Sequence, residues 1–98
     1  MNITEQQQAV QRLKATWQFL FNDLGFNAEP VPRQYLVWLN LYGEANIEKG
    51  FERANVWVSK QQTQGRRVNL DDLVRYASAC ARNFKEEAEN VDTQSATQ

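Results

Sequence analysis

The chain has 98 residues, 11 basic and 12 acidic side chains, one cysteine and no histidine. That length suits one domain rather than two. Without histidine the commonest general base and metal ligand are missing, and with a single thiol the usual zinc sets and any Cys–His nucleophile pair are ruled out.

Hydrophobic residues make up 42% of the chain, with 3 Trp, 3 Tyr and 5 Phe among them. That composition favours a packed core over disorder. So short a chain buries a modest fraction of its surface, so its core must be efficient or aided by self-association. Cys80 cannot form an internal disulfide, which leads to the expectation of a reducing, cytoplasmic compartment. The opening residues, Met1 to Gln6, show neither a basic n-region nor an apolar h-region, so no signal peptide is expected. No apolar run approaches the ~18 residues of a membrane span, so no membrane partner is expected.

Charge is unevenly spread. Residues 1–48 carry three basic and five acidic groups, residues 49–85 eight and three, and residues 86–98 none and four. A basic stretch of this kind can mark an anionic partner, and it is also what a solvated mixed surface looks like.

In chain order, helix 1 is expected from Thr4, as N-cap, to Asp23. Val10, Leu13, Trp17, Leu20 and Leu24 form its apolar stripe, with Ile3 one heptad ahead. Such a seam serves an intramolecular bundle or a partner helix. Gly25 ends the helix. Pro30 and Pro32 make the following stretch a loop, from which Phe26 and Val31 are expected to enter the core. Helix 2 opens at Pro32 and ends at Gly43. It offers Arg33, Gln34 and Asn40 as its only polar positions, the pattern of a buried central helix.

Helix 3 is expected over Glu44 to Gln62, with Ile47, Phe51, Ala54 and Val58 facing inward. Gly50 inside it costs ~1 kcal/mol relative to alanine, so close approach of another helix, expected to be helix 2, should compensate. After the loop Thr63 to Val68, Asn69 caps helix 4, with Asp71 and Asp72 in its first turn where the dipole favours acids. Leu70, Leu73, Val74, Ala77, Cys80, Ala81, Phe84 and Ala88 give helix 4 a broad apolar face. The expected result is an all-α domain over residues 1–88, four helices around a buried second helix, and a disordered acidic and polar tail over 89–98. Trp38 and Leu39 should pack against Trp17, Leu20, Phe51 and Phe84.

The carboxylates suggest no acid–base pair. Asp71 and Asp72, like Glu44 and Glu48, stand at helix starts, and Glu86, Glu87 and Glu89 run into the tail. The four glycines are scattered and form no phosphate loop. Cys80 lies on an apolar helix face, as a core thiol does. No catalytic residue, metal site, cofactor or small-molecule substrate is therefore expected.

The basic residues form the one constellation that suggests binding. Lys49, Arg53 and Lys60 share a stripe on helix 3, with Trp57 roughly 60–80° away at ~100° per residue. Arg75, Arg82 and Lys85 share a stripe on helix 4, and Arg66 and Arg67 stand in the loop between. Cations beside an aromatic ring are the components of a nucleic-acid surface. The alternative is a solvated face, with Asp71–Arg75 and Lys85–Glu89 pairing one turn apart.

Residues from about 36 to 87 resemble the C-terminal domain of the primosomal DnaD family of bacterial and phage replication proteins. Trp38 stands in the family's tryptophan-bearing helix, and Glu44 to Glu48 give the next helix its acidic start. Tyr76-x-x-x-Cys80-x-x-x-Phe84 matches a Tyr-x-x-x-Ile-x-x-x-Trp pattern with two substitutions, and Arg82 to Glu87 look like that family's helix ending. The resemblance implies DNA binding through the final helix and its tail, although this tail is acidic. The expectation is a non-catalytic, DNA-associated accessory protein of replication or of a phage or mobile element. The alternative is a small helical adaptor or inhibitor docking on a protein partner, or a homodimer formed through helix 1.

Overall fold

The computed structural model describes residues 2–97, and side-chain surroundings for residues 2–89. It contains four α-helices among the described residues: α1 (Ile3–Phe21), α2 (Pro32–Tyr42), α3 (Glu44–Thr63) and α4 (Leu70–Thr97). None is long and apolar enough to cross a membrane. The tail expected over 89–98 lies, beyond Glu89, outside the residues whose side chains are described.

The helix ends follow capping chemistry. Asn2, rather than Thr4, caps α1 by accepting from the Glu5 amide at 2.8 Å. A short 3₁₀ turn, Asn22–Leu24, then leads to Gly25. Asn69 caps α4 as expected, accepting from the Asp72 amide at 2.8 Å. Gly43, at φ 83°, both ends α2 and starts α3, so one residue makes the whole turn. That positive φ is costly for any residue with a Cβ.

The core is aromatic. Trp17 lies 4.4 Å from Phe21, 5.3 Å from Phe51 and 6.3 Å from Trp38 between ring centroids. Trp38 lies 5.2 Å from Phe51 and 5.7 Å from Tyr35. Such edge-on and offset contacts add to the stabilisation from burial. Trp38 also donates its indole N–H to Ser78 Oγ at 2.7 Å, tying α2 to α4. The Trp17 indole N–H and the Tyr35 hydroxyl have no partner among the described residues.

Two expectations about this core are corrected. Both α2 and α3 touch all three other helices, but α3 is the more deeply buried, with Ile47, Gly50, Phe51, Ala54 and Val58 inside. In α2 only Tyr35 and Trp38 are buried, while Leu36, Val37 and Leu41 are 38%, 41% and 50% exposed. An all-round apolar pattern therefore does not mark α2 as the central helix: one of its faces meets solvent. Phe84 does not reach Trp38's cluster but sits half-exposed beneath cations of α3. From the loop, Phe26 is buried as expected, but Val31 is 66% exposed.

Gly50 admits close approach of α4, not α2. A Cβ there would stand 2.9 Å from the Ala77 carbonyl oxygen and 3.1 Å from the Ala81 nitrogen. Both are backbone atoms, so the helices would have to separate. Gly50→Ala gains ~1 kcal/mol of helix propensity but overpacks the seam, at ~1–3 kcal/mol. We expect a lower urea midpoint than the parent; an unchanged or higher midpoint would show that parting the two helices costs no more than the ~1 kcal/mol gained in propensity.

A candidate nucleic-acid interface along the α3–α4 seam

Helices α3 and α4 run antiparallel, because Lys49 and Arg53 meet Phe84 at one end and Trp57 meets Tyr76 further along. On α3, Lys49, Arg53, Trp57 and Gln61 recur every four residues. On α4, Asp72, Tyr76, Cys80 and Phe84 do the same. Side chains at this spacing share a helix face. The outer edge of the seam thus carries one mixed row of cations and rings.

At one end, the Arg53 guanidinium carbon lies 4.9 Å and Lys49 Nζ 5.9 Å from the Phe84 ring centroid. These are cation–π distances, so the ring holds both cations in place without neutralising them. Mid-row, Trp57 and Tyr76 stack at 4.2 Å with 6° between their planes. Burial pushes the Tyr76 hydroxyl up from its ordinary range, with Cys80 adding to the shift. Burial also pushes the Cys80 thiol up, although Arg53 and Tyr76 pull the other way. The thiol is thus held in its unreactive protonated form.

At the far end, the stacked pair borders an open cleft of about 490 Å³. Gln61, Arg66, Arg67, Val68, Asp72 and Arg75 complete its lining. The loop brings Arg66 and Arg67 there because α3 closes in a Schellman-type turn, Arg66 N–H donating to Gln61 O at 2.9 Å past Gly65. The Arg66 side chain bonds Gln61 Oε1 at 3.3 Å. Arg67 and Arg75 have no ion-pair partner among the described residues, so the anticipated Asp71–Arg75 pair does not form. The second anticipated pair does form, Lys85 Nζ to Glu89 Oε1 at 3.8 Å.

Of the nine residues singled out, six therefore fall along this seam: Lys49, Arg53, Trp57, Arg66, Arg67 and Arg75. Lys60 lies apart, lining a separate hollow with Asn55, Val56 and Ser59. Lys85 donates to the Leu41 carbonyl at 2.8 Å, capping the end of α2. Arg82 is exposed, two turns beyond Arg75 on α4. Sequence reasoning missed Tyr76, Gln61 and Asp72 as part of the face. The four-residue spacing on two consecutive helices was the available signal.

The fold and seam define a small all-α domain with an open cleft lined by rings and uncompensated arginines. No protein-family model, curated protein or solved structure matches the chain. Of the aromatic and thiol residues singled out between positions 36 and 87, Trp38 belongs to the core, Tyr76 and Phe84 to the seam, and Cys80 lies buried between them.

Proposed function

We propose that this protein is a non-catalytic nucleic-acid-binding domain that engages its ligand along the α3–α4 seam, as a DNA-associated accessory factor of replication or of a phage or mobile element. The observation that carries the reading is the cleft, where Arg66, Arg67 and Arg75 converge beside the Trp57–Tyr76 stack without a carboxylate bound to any of them. Unneutralised guanidiniums favour phosphate, and an accessible ring pair favours a base. The DnaD-type resemblance supplies the replication context. Fluorescence anisotropy at low salt tests the reading. Binding of labelled DNA that weakens steeply with salt is expected, because phosphate contacts release counterions. No binding at tens of micromolar protein would end it.

A second reading, an adaptor docking on a protein partner, is favoured by a different face. Leu36, Val37 and Leu41 of α2 are exposed, and Leu36 shares an apolar groove with Ile3, Val10 and Pro32. Exposed apolar residues gathered in this way suit a protein interface. If a partner is a second copy of the chain, the start of the helix 1 stripe, Ile3 and Val10, contributes to this groove together with α2, while Leu13 and Trp17 further along are buried. Light scattering over a wide concentration range tests the homodimer form, and a monomer throughout removes it.

A further inference from the structure

Among the described residues, Asp72 is the one carboxylate in the lining of the cleft, and its place in the first turn of α4 already suits the helix dipole. A surface built only to hold phosphate gains nothing from a carboxylate, which repels the same anion. Yet Asp72 lines the cleft with three arginines and forms an ion pair with none of them. It stands one turn before Tyr76 on α4, so the Cβ atoms of the two residues are neighbours about 5–6 Å apart on one helix face. Carboxylate and stack line the same cleft, so a planar group seated on the pair there has a hydrogen-bond acceptor beside it.

Ionised aspartate only accepts hydrogen bonds. Guanine alone among the bases offers two adjacent donors on its Watson–Crick edge, N1–H and the N2 amino group, which match the two oxygens of a carboxylate. Adenine and cytosine offer one amino group beside an acceptor. Thymine and uracil offer one N–H between two carbonyls that repel the carboxylate. In a duplex this edge is already paired, so the base must come from a single strand.

We propose that the cleft accepts one unstacked guanine of a single-stranded nucleic acid, its ring on the Trp57–Tyr76 pair, its Watson–Crick edge on Asp72 and its flanking phosphates on Arg66, Arg67 and Arg75. The inference rests on the nucleic-acid reading above and sharpens it. From Lys49 to Gln61 the α3 row spans about 18 Å at ~1.5 Å per residue, so neighbouring nucleotides can follow Arg53 and Lys49. The 2′-hydroxyl plays no part in these contacts, so DNA and RNA strands should both be accepted.

The test is anisotropy with the full chain and 12-nucleotide single strands, thymidine or uridine throughout except for one central G, A or C, each also annealed to its complement. The G-bearing strands should bind about tenfold more tightly than the others and than their own duplexes, the scale a good bidentate base contact provides. Asp72→Asn should abolish that preference while binding the uniform strand at least as tightly, since a negative charge is lost. Trp57→Ala should weaken all single strands, and Trp57→Phe, which keeps a ring, should restore most of the loss. Equal binding of G, A, C and T strands, or a preference that survives Asp72→Asn, would overturn the guanine assignment and leave the nucleic-acid reading standing. Failure of every strand and duplex to bind would overturn both.

Discussion

Trp38→Ala is expected to lower the stability of the domain by about 3–5 kcal/mol, the cost of truncating a fully buried large aromatic. Trp38 is 1% exposed and touches Trp17, Tyr35 and Phe51, which come from three different helices. Its indole N–H also reaches Ser78 of α4. The truncation thus opens a cavity where all four helices meet and removes a cross-helix hydrogen bond. A domain of this size holds ~5–10 kcal/mol in all, so the variant should lose a large part of its folded population margin. Urea denaturation should show a much lower midpoint at similar slope. Trp38→Phe keeps the ring and should recover most of the loss, lacking the Ser78 bond. A Trp38→Ala protein as stable as the parent would mean the aromatic cluster does not hold the helices together.

Helix number and order were legible in the sequence because local signals determine them, although α1 is capped by Asn2 rather than Thr4 and ends at Phe21. Pro32, Gly43, Gly65 and Asn69 sit where backbone chemistry demands them, and the spacings of α1, α3 and α4 name their inward faces. The identity of the central helix was not legible. An all-round apolar helix can be enclosed by its own chain or leave a face bare, and α2 leaves Leu36, Val37 and Leu41 bare. The seam was half legible. Counting cations found Lys49, Arg53 and the loop arginines. The ring stack could not be seen, because Trp57 and Tyr76 are 19 positions apart and only the α3–α4 register brings them together. That register depends on Gly50, whose missing side chain lets Ala77 and Ala81 come close. The close helix approach expected at Gly50 thus exists, but with α4 rather than helix 2, and it bears on the candidate site.

The triple substitution Arg66→Gln, Arg67→Gln, Arg75→Gln is expected to weaken single-strand binding by 10²–10³-fold at about 50 mM salt. Each phosphate contact on a single strand adds ~0.7 to the slope of log affinity against log salt. Three contacts make the slope ~2 shallower, and over the roughly 1.3 decades from 50 mM to 1 M salt that amounts to about 2.7 decades of affinity. The fold should not suffer. All three side chains are exposed, and the only bond lost among the described residues is the 3.3 Å contact from Arg66 to Gln61. An unchanged melting curve with a shallower salt slope is the expected pair of results. Two single variants give the contrast. Lys60→Gln, which lines the neighbouring hollow, should leave affinity within about threefold of the parent and the salt slope unchanged, because no phosphate contact is assigned to it. Lys85→Gln removes the donor that caps Leu41 O and should act on stability more than on binding. A triple variant that binds like the parent would remove the cleft as the contact surface, and the bare apolar face of α2 would become the leading place to look for a partner.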